Sequence, residues 1–505
     1  MDCHLFVLVH GLWGNPNHMT TIETVLNDVL ESTDSKVAIL RPSSFRFWKT
    51  YDGVKICAER VLIEMFYEIE TLKKNNLKVT EISFVGYSFG GLISRYLIGI
   101  LEEIGFFHEV KPVFFTTFAS PHVGVEFFKK NFFDYTANAI GGYLFGPTGR
   151  QLFINDRDKI LVTMADPKSR YFKGLKRFEK LMLLANVKND RSVSFFTSFI
   201  TDYSPFEKFD VVKIKYLKDL PESSIGKVHV RGKFVDLRRS HYQLGGSNGG
   251  SLNVQEETSF LRTSKLFRVG LILLSVVILP IWIPTILTVT FLTSMYSMIK
   301  VRVLSYPSIE PHWQKVRTGV YGSQGVDDED FKIGTKKRQQ RKEIDRSESF
   351  KGDTSNLTEM GMESMLYADE RIHGDGHVVG EEDVGDAKVE DETSSLVSTQ
   401  NFHFDLDLHK SSVKKHLPSL TDTDYSQFPL FVKGAKLPVN KDKKAIIENL
   451  NSLGWIKIPI FLDAWNAHDG IVARRGVVSN PKGTASIALW ASMLVEHMEG
   501  GSEAH

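Results

Sequence analysis

An α/β protein with a doubly wound, mostly parallel sheet is the architecture this sequence predicts, on three observations. Short apolar runs of strand length recur through residues 1–215: HLFVLVH, SKVAILRP, ISFVG, PVFFTTFAS and KLMLLANV. Between them lie segments with apolar residues at helical spacing, such as ICAERVLIEMFYEIETLKKNN and GLISRYLIGILEEIG. The same pairing returns near the end, as WIKIPIFL followed by TASIALWASMLVEHM. Strand–helix alternation of this kind belongs to a parallel sheet covered on both faces.

The first run, Leu5 to Val9, is too short for the apolar core of a signal peptide, and an acid follows Met1. It is expected to be the first strand. After residue 215 the apolar signal fades, and residues 216–262, with LGGSNGGSLN, are expected to be a linker. A nearly uncharged run, roughly 269–299, then forms the middle of a segment 263–303. Residues 316–425 turn polar and charged (KKRQQRKEIDRSESF, GEEDVGDAKVEDETSS) and predict a disordered insertion. Residues 428–505 complete the α/β core.

Composition excludes some functions. The net charge of +1 gives no electrostatic case for nucleic acid. The two cysteines, Cys3 and Cys57, cannot make a disulfide framework and fit a reducing compartment. No Cys/His spacing suggests zinc, and no metal or organic cofactor is implied.

The chemistry starts at Gly86-Tyr87-Ser88-Phe89-Gly90. This G-x-S-x-G follows an apolar strand and precedes a helix with Leu92, Ile93, Tyr96, Leu97, Ile100 and Leu101 on one stripe. That is the context of a nucleophile elbow, in which Gly86 and Gly90 leave room for neighbouring backbone. A second match, Gly245-Gly246-Ser247-Asn248-Gly249, has neither strand nor helix beside it and is a chance occurrence. An oxyanion hole needs two backbone donors. Phe89 supplies the one after the nucleophile, and Leu12 in HGLWGN, after the first strand, is expected to supply the other. An acid follows the nucleophile in this chain order, and Asp190, just past KLMLLANV, is favoured over Asp156, Asp158, Asp166 and Asp202. His468, between WIKIPIFL and the last helix, is the expected base. His241 is the runner-up and His122 is expected to be structural.

Taken together, HGLWGNP, GYSFGG, ASPHVGV, NVKNDRSV and AHDGIVARR resemble the putative serine esterase family of lipase-like α/β-hydrolases. The resemblance covers residues 1 to about 215, about 428 to 480, and the apolar segment. It implies an α/β-hydrolase fold, a Ser88–Asp190–His468 triad, and hydrolysis of acyl esters of glycerophospholipids. Tyr87 stands where lipases often have histidine; that position supplies no catalytic group.

Ser88 and Asp190 precede the apolar run and His468 follows it, so both flanks must lie on one side of any membrane. Pro280 and Pro284 break the run, and Arg262, Lys265, Arg268, Lys300 and Arg302 flank it. These features predict a membrane hairpin with cytosolic ends, at a lipid-droplet surface or the ER membrane. The sequon Asn356-Leu357-Thr358 is then expected to stay unglycosylated. VEFFKKNFFDY, residues 125–135, suggests either a lid over residues 125–175 that touches lipid or ordinary core packing. The expected activity is a serine phospholipase working through an acyl-enzyme at a membrane or droplet monolayer. A triacylglycerol or sterol-ester lipase, and a non-catalytic membrane-bound adaptor, are the alternatives.

Overall fold

The computed structural model describes residues 1–31, 36–128, 132–207, 209–243, 288–301, 309–322, 402–421, 425–464 and 466–502. Five of the six central strands come from the first half of the chain: β1 (Asp2–Val9), β2 (Lys36–Leu40), β3 (Lys78–Tyr87), β4 (Lys111–Phe118) and β5 (Lys180–Asn186). The sixth, β6 (Trp455–Ile460), comes from the last tenth. All neighbouring pairs are parallel, in the order β6-β5-β4-β3-β1-β2. The fold is therefore the expected α/β one, with a mostly parallel sheet.

The near-continuous apolar strands reflect burial on both faces. Along β1, Leu5, Val7 and Val9 point to one side, where α2 (Val54–Lys74) and α3 (Phe89–Glu103) pack. Phe6 and Leu8 point to the other, beneath α1 (Thr20–Leu30) and the C-terminal helix Pro481–Ser502. The period-2 alternation of a strand thus feeds two separate cores. Strand order reverses between β1 and β3, so a crevice opens at their carboxyl ends, the usual ligand position in such sheets.

Several expected boundaries move. Among the described residues the linker 216–262 contains three short strands, Glu222–Ile225, Val228–Arg231 and His241–Tyr242, and buries Leu217, Leu220, Phe234 and Val235. Runs of four residues are too short for periodicity to announce them. The expected disordered insertion 316–425 is ordered at both ends. Trp313, in the helix Glu310–Val316, packs on Phe66 and Phe106, and Val320 beyond it is also buried. At the far end, Phe402–Phe404 pairs with Glu222–Ile225, and the helix Leu406–Leu420 packs along the C-terminal helix. Asp405 caps that helix, its carboxylate accepting the Leu408 N–H. Frequent lysines and serines hide its buried face, which is His409, Ser412, Val413 and Leu420.

Among the described residues no helix is long and apolar enough to cross a membrane. Pro280, Pro284 and the first arm of the expected hairpin lie outside the described residues, as do the second G-x-S-x-G and Asn356. Residues 288–301, most of the second arm, form a helix docked on the protein through Ser294 and Ser297. The expected lid divides as well. Residues Arg170–Lys176 are core, with Tyr171 against Gly99 and Gly174 against Ile98. Phe128 packs on Phe196, whereas Phe127 is exposed.

Candidate active site

The chain turns sharply where β3 meets α3. Ser88 sits there with φ 54° and ψ −124°, a strained conformation for a residue with a side chain. The turn closes only because Gly86 and Gly90 lack a β-carbon. A methyl on Gly86 would overlap Gly91, and one on Gly90 would overlap the Val9 carbonyl. The Ser88 N–H donates to the Phe118 carbonyl of β4, which ties the elbow to the sheet. The hydroxyl is held at the carboxyl end of β3.

His468 arrives from the other end of the chain. It sits in the one-turn helix Ala467–Gly470 after β6, capped by Asn466, whose side chain accepts the His468 N–H. Its Nε2 lies 3.0 Å from Ser88 Oγ, and its Nδ1 lies 3.0 Å from Asp190 Oδ2. An ionised carboxylate can only accept, so Nδ1 carries the proton and Nε2 is free to accept from the serine hydroxyl. Asp190 follows β5. Its Oδ1 accepts the Ser192 and Val193 N–H groups at 3.1 and 2.7 Å, and its Oδ2 also accepts from the Asn186 side chain at 2.9 Å. The carboxylate is thus fixed by neutral donors. Burial alone would lower the His468 pKa; Asp190, with a smaller contribution from Asp469, outweighs it and holds the pKa above its ordinary value of 6.5.

Opposite Ser88 runs the loop after β1. A β-carbon on Gly11 would lie 2.8 Å from Ser88 Cβ, so loop backbone passes directly over the nucleophile. The next turn is pinned: the Trp13 N–H donates to Thr50 Oγ1 and the Gly14 N–H to the Gly11 carbonyl. Leu12 lies between these fixed points. Phe89 is the first residue of α3, at the positive end of that helix. The structure therefore brings Ser88, Asp190, His468, Gly86, Gly90, Leu12 and Phe89 into one place.

The rival residues sit elsewhere. His122 is buried, bonded to Thr117 Oγ1 at 2.9 Å, and burial drives its pKa well below 6.5. His241 is exposed, on a short strand pairing with Val212–Lys213. Asp202 pairs with Lys436, and Asp156 and Asp166 accept backbone N–H groups in their own turns. Sequence reading missed Asn186, the last residue of β5. It also missed Tyr87, whose phenol reaches Asp469 at 3.2 Å. A strand-ending asparagine four residues before the acid was the one local signal for the first. The second joins residues 382 apart and leaves none.

Among the described residues no group of acidic, histidine or cysteine side chains could hold a metal. Among proteins similar in sequence, the putative lipase C4A8.10 of Schizosaccharomyces pombe is 30% identical over 209 residues, 39% of this chain and 26% of that protein. The putative lipase ROG1 of Saccharomyces cerevisiae is 27% identical over 209 residues, again 39% of this chain and 28% of its own length. The chain thus spans under a third of these relatives. Among solved structures, phospholipase PlaB from Legionella pneumophila in complex with thio-NAD aligns over 38% of this chain and 40% of that one, at 14% identity and a TM-score of 0.26, too slight a likeness to bear on function. The family model described as "Putative serine esterase (DUF676)" matches residues 1–202, which include Ser88, Asp190 and the loop after β1.

Proposed function

We propose that the chain is a serine carboxylic-ester hydrolase acting on lipid acyl esters, with glycerophospholipids as the preferred class. The observation that carries this reading is the unbroken chain of 3.0 Å contacts from Ser88 through His468 to Asp190. Ser88 Oγ attacks the ester carbonyl while His468 Nε2 takes its proton. The carbonyl oxygen becomes an oxyanion facing the Phe89 and Leu12 N–H groups. Collapse expels the alcohol, which takes the proton from His468, and leaves an acyl group on Ser88. Water then gives a proton to His468, attacks the acyl carbon and releases the fatty acid, and the proton returns to Ser88. Asp190 stabilises the transient imidazolium throughout.

The relatives' description as putative lipases supports a lipid substrate. So does helix 288–301, whose packing is inverted. Its serines are buried, while Val289, Phe291, Leu292, Met295, Tyr296 and Ile299 face outward. Tyr135, Ile140 and Tyr143 are exposed too, on the helix Phe132–Leu144, whose last carbonyl accepts from Ser294. An apolar face turned outward suits a lipid interface better than water. In this reading the protein lies on a membrane or a droplet monolayer, with both ends of the apolar run on the cytosolic side.

The test is fatty-acid release from defined phospholipid and triacylglycerol emulsions, wild type against Ser88→Ala. Release from phospholipid that vanishes in the variant supports the reading. Release from triacylglycerol alone keeps the chemistry and changes the substrate. If neither lipid is cleaved and a fluorophosphonate leaves Ser88 unlabelled, the adaptor alternative replaces it.

A further inference from the structure

The two reacting residues meet across 380 positions of chain. Each is flanked by a residue that the triad does not use. Tyr87 precedes Ser88, and Asp469 follows His468. These flanking residues are bonded to each other, Tyr87 Oη donating to Asp469 Oδ1 at 3.2 Å. Both are buried, at 3% and 7% exposure. The Tyr87 ring also lies 5.0 Å from the His468 ring, tilted by 37°.

Asp469 is held from its other sides. Asn466 Nδ2 donates to its Oδ2 at 2.9 Å, and Arg474 Nη1 lies 3.3 Å from its Oδ1. Asn466 is the residue that caps the turn bearing His468. The carboxylate therefore joins the nucleophile elbow, the histidine turn and the loop beyond it. β3 and β6 are separated in the sheet by β4 and β5, so no direct strand pairing joins the elbow to the histidine turn. The Tyr87–Asp469 bond joins them directly, beside the Ser88–His468 contact.

We propose that Tyr87 and Asp469 act as a pair of positioning residues that hold the nucleophile elbow and the histidine turn in register. This rests on the hydrolase reading above. Neither residue touches substrate, and both act through Ser88 and His468. The pair also modulates the charge near the imidazole. The groups facing His468 are Asp190 from the loop after β5, Tyr87 and Ser88 from the elbow, and Asp469 and Arg474 from its own turn and the loop beyond. His10 and His18, kept neutral by burial, lie near Asp469 and Arg474. Burial, then the charge of Asp469, holds the Tyr87 phenol proton well above its ordinary pKa, so it stays a donor.

The experiment is the rate of fluorophosphonate labelling of Ser88 against pH. It uses the full chain, Tyr87→Phe, Asp469→Asn and the double variant. Each single variant is expected to slow labelling at the plateau by about tenfold, the worth of one buried hydrogen bond to a charged group. The double variant should be slower than either by less than the product of the two effects, because the two residues make one bond. The pH midpoints should move in opposite directions. Removing the phenol leaves Asp469 less compensated and raises the midpoint; removing the Asp469 charge lowers it. General loosening would move both the same way, and that result would overturn the pair. A labelled wild type with unmoved variants would sink it alone, whereas an unlabelled wild type sinks the hydrolase reading with it. If Asp469→Asn does not fold, the upward shift in the near-isosteric Tyr87→Phe carries the test.

Discussion

Asp190 and Asp52 are two buried carboxylates in different surroundings, and the difference separates a working group from a structural one. Asp190 is held by two backbone N–H groups, an asparagine amide and a neutral imidazole. These hydrogen-bond partners are neutral, so its charge remains available when the imidazole gains a proton. Asp52 is already neutralised. Arg60 lies 2.6 Å from its Oδ2, Lys300 lies 3.3 Å away, and Ser297 donates to its Oδ1 at 2.5 Å. Those last two residues belong to helix 288–301 and fasten it to the protein. Asp190 answers to a proton in transit; Asp52 fixes a surface element.

The largest expected effect is on Asp190. Asp190→Asn keeps the size but presents an amide that can donate to Nδ1 and hold the imidazole in the wrong tautomer. Hydrolysis of a soluble ester and labelling of Ser88 should both fall by about 10⁴-fold, with stability little changed. A drop of less than tenfold would mean that Asp190 does not orient the base.

Asp52→Ala should act the other way round. It strands two cations in a partly buried site, at a cost of about 3 kcal/mol. Urea midpoints should show that loss, and limited proteolysis should cut near helix 288–301 far sooner. The labelling rate of the folded protein should stay close to wild type, since Asp52 does not touch Ser88. Unchanged stability with slowed labelling would reverse the roles assigned to the two carboxylates.

The sequence was informative where a single chemical rule leaves one arrangement. G-x-S-x-G after a strand can place Ser88 only at a strand end, and chain order then points to Asp190 and His468. The sheet was legible because strands buried on both faces give unbroken apolar runs. Asp52 was invisible, since its partners lie 8, 245 and 248 residues away and no periodicity links them. Helix 288–301 was legible only in part. Its apolar residues were expected to meet lipid, but nothing in the run announced that Ser294 and Ser297 would be buried against the protein. Short strands such as Glu222–Ile225 escaped because four residues complete only two alternations.

The histidines extend the comparison to pH. Burial, with smaller effects from nearby charges, lowers the pKa of His4 to about 3 and of His10 to about 4. Both stay neutral in the fold while the unfolded chain takes up protons below 6.5. Stability contributed by their neutral state is therefore present above pH 6.5 and lost as the pH falls toward 4, by up to about 1.4 kcal/mol per pH unit for each. His468 runs in the opposite sense. Its raised pKa contributes stability below 6.5 that is lost as the pH rises through the folded value. Urea midpoints at pH 7.5, 6.0 and 5.0 should fall with acidification, because the buried neutral histidines outnumber it. A midpoint that rises toward pH 5 would contradict the neutral state of His4 and His10.

The smallest effect concerns the face that Asp52 holds in place. Phe291 is 52% exposed, so replacing it with serine removes little packing and should leave the urea midpoint within about 0.5 kcal/mol of wild type. Against a lipid surface the same ring would be covered. Losing its apolar area should then weaken partitioning onto phosphatidylcholine vesicles by about 1–2 kcal/mol, close to tenfold in a flotation assay. Soluble-ester hydrolysis should not change, because Phe291 lies on the exposed face of the helix and the buried contacts of Ser294 and Ser297 are kept. Sedimentation separates the competing cover: if a second copy occupies the face, Phe291→Ser lowers the mass in solution and leaves vesicle binding as it was. Vesicle binding that survives Phe291→Ser and Leu292→Ser together, in a monomer, would remove this face from the lipid-binding surface and return that role to the apolar residues preceding it in the chain.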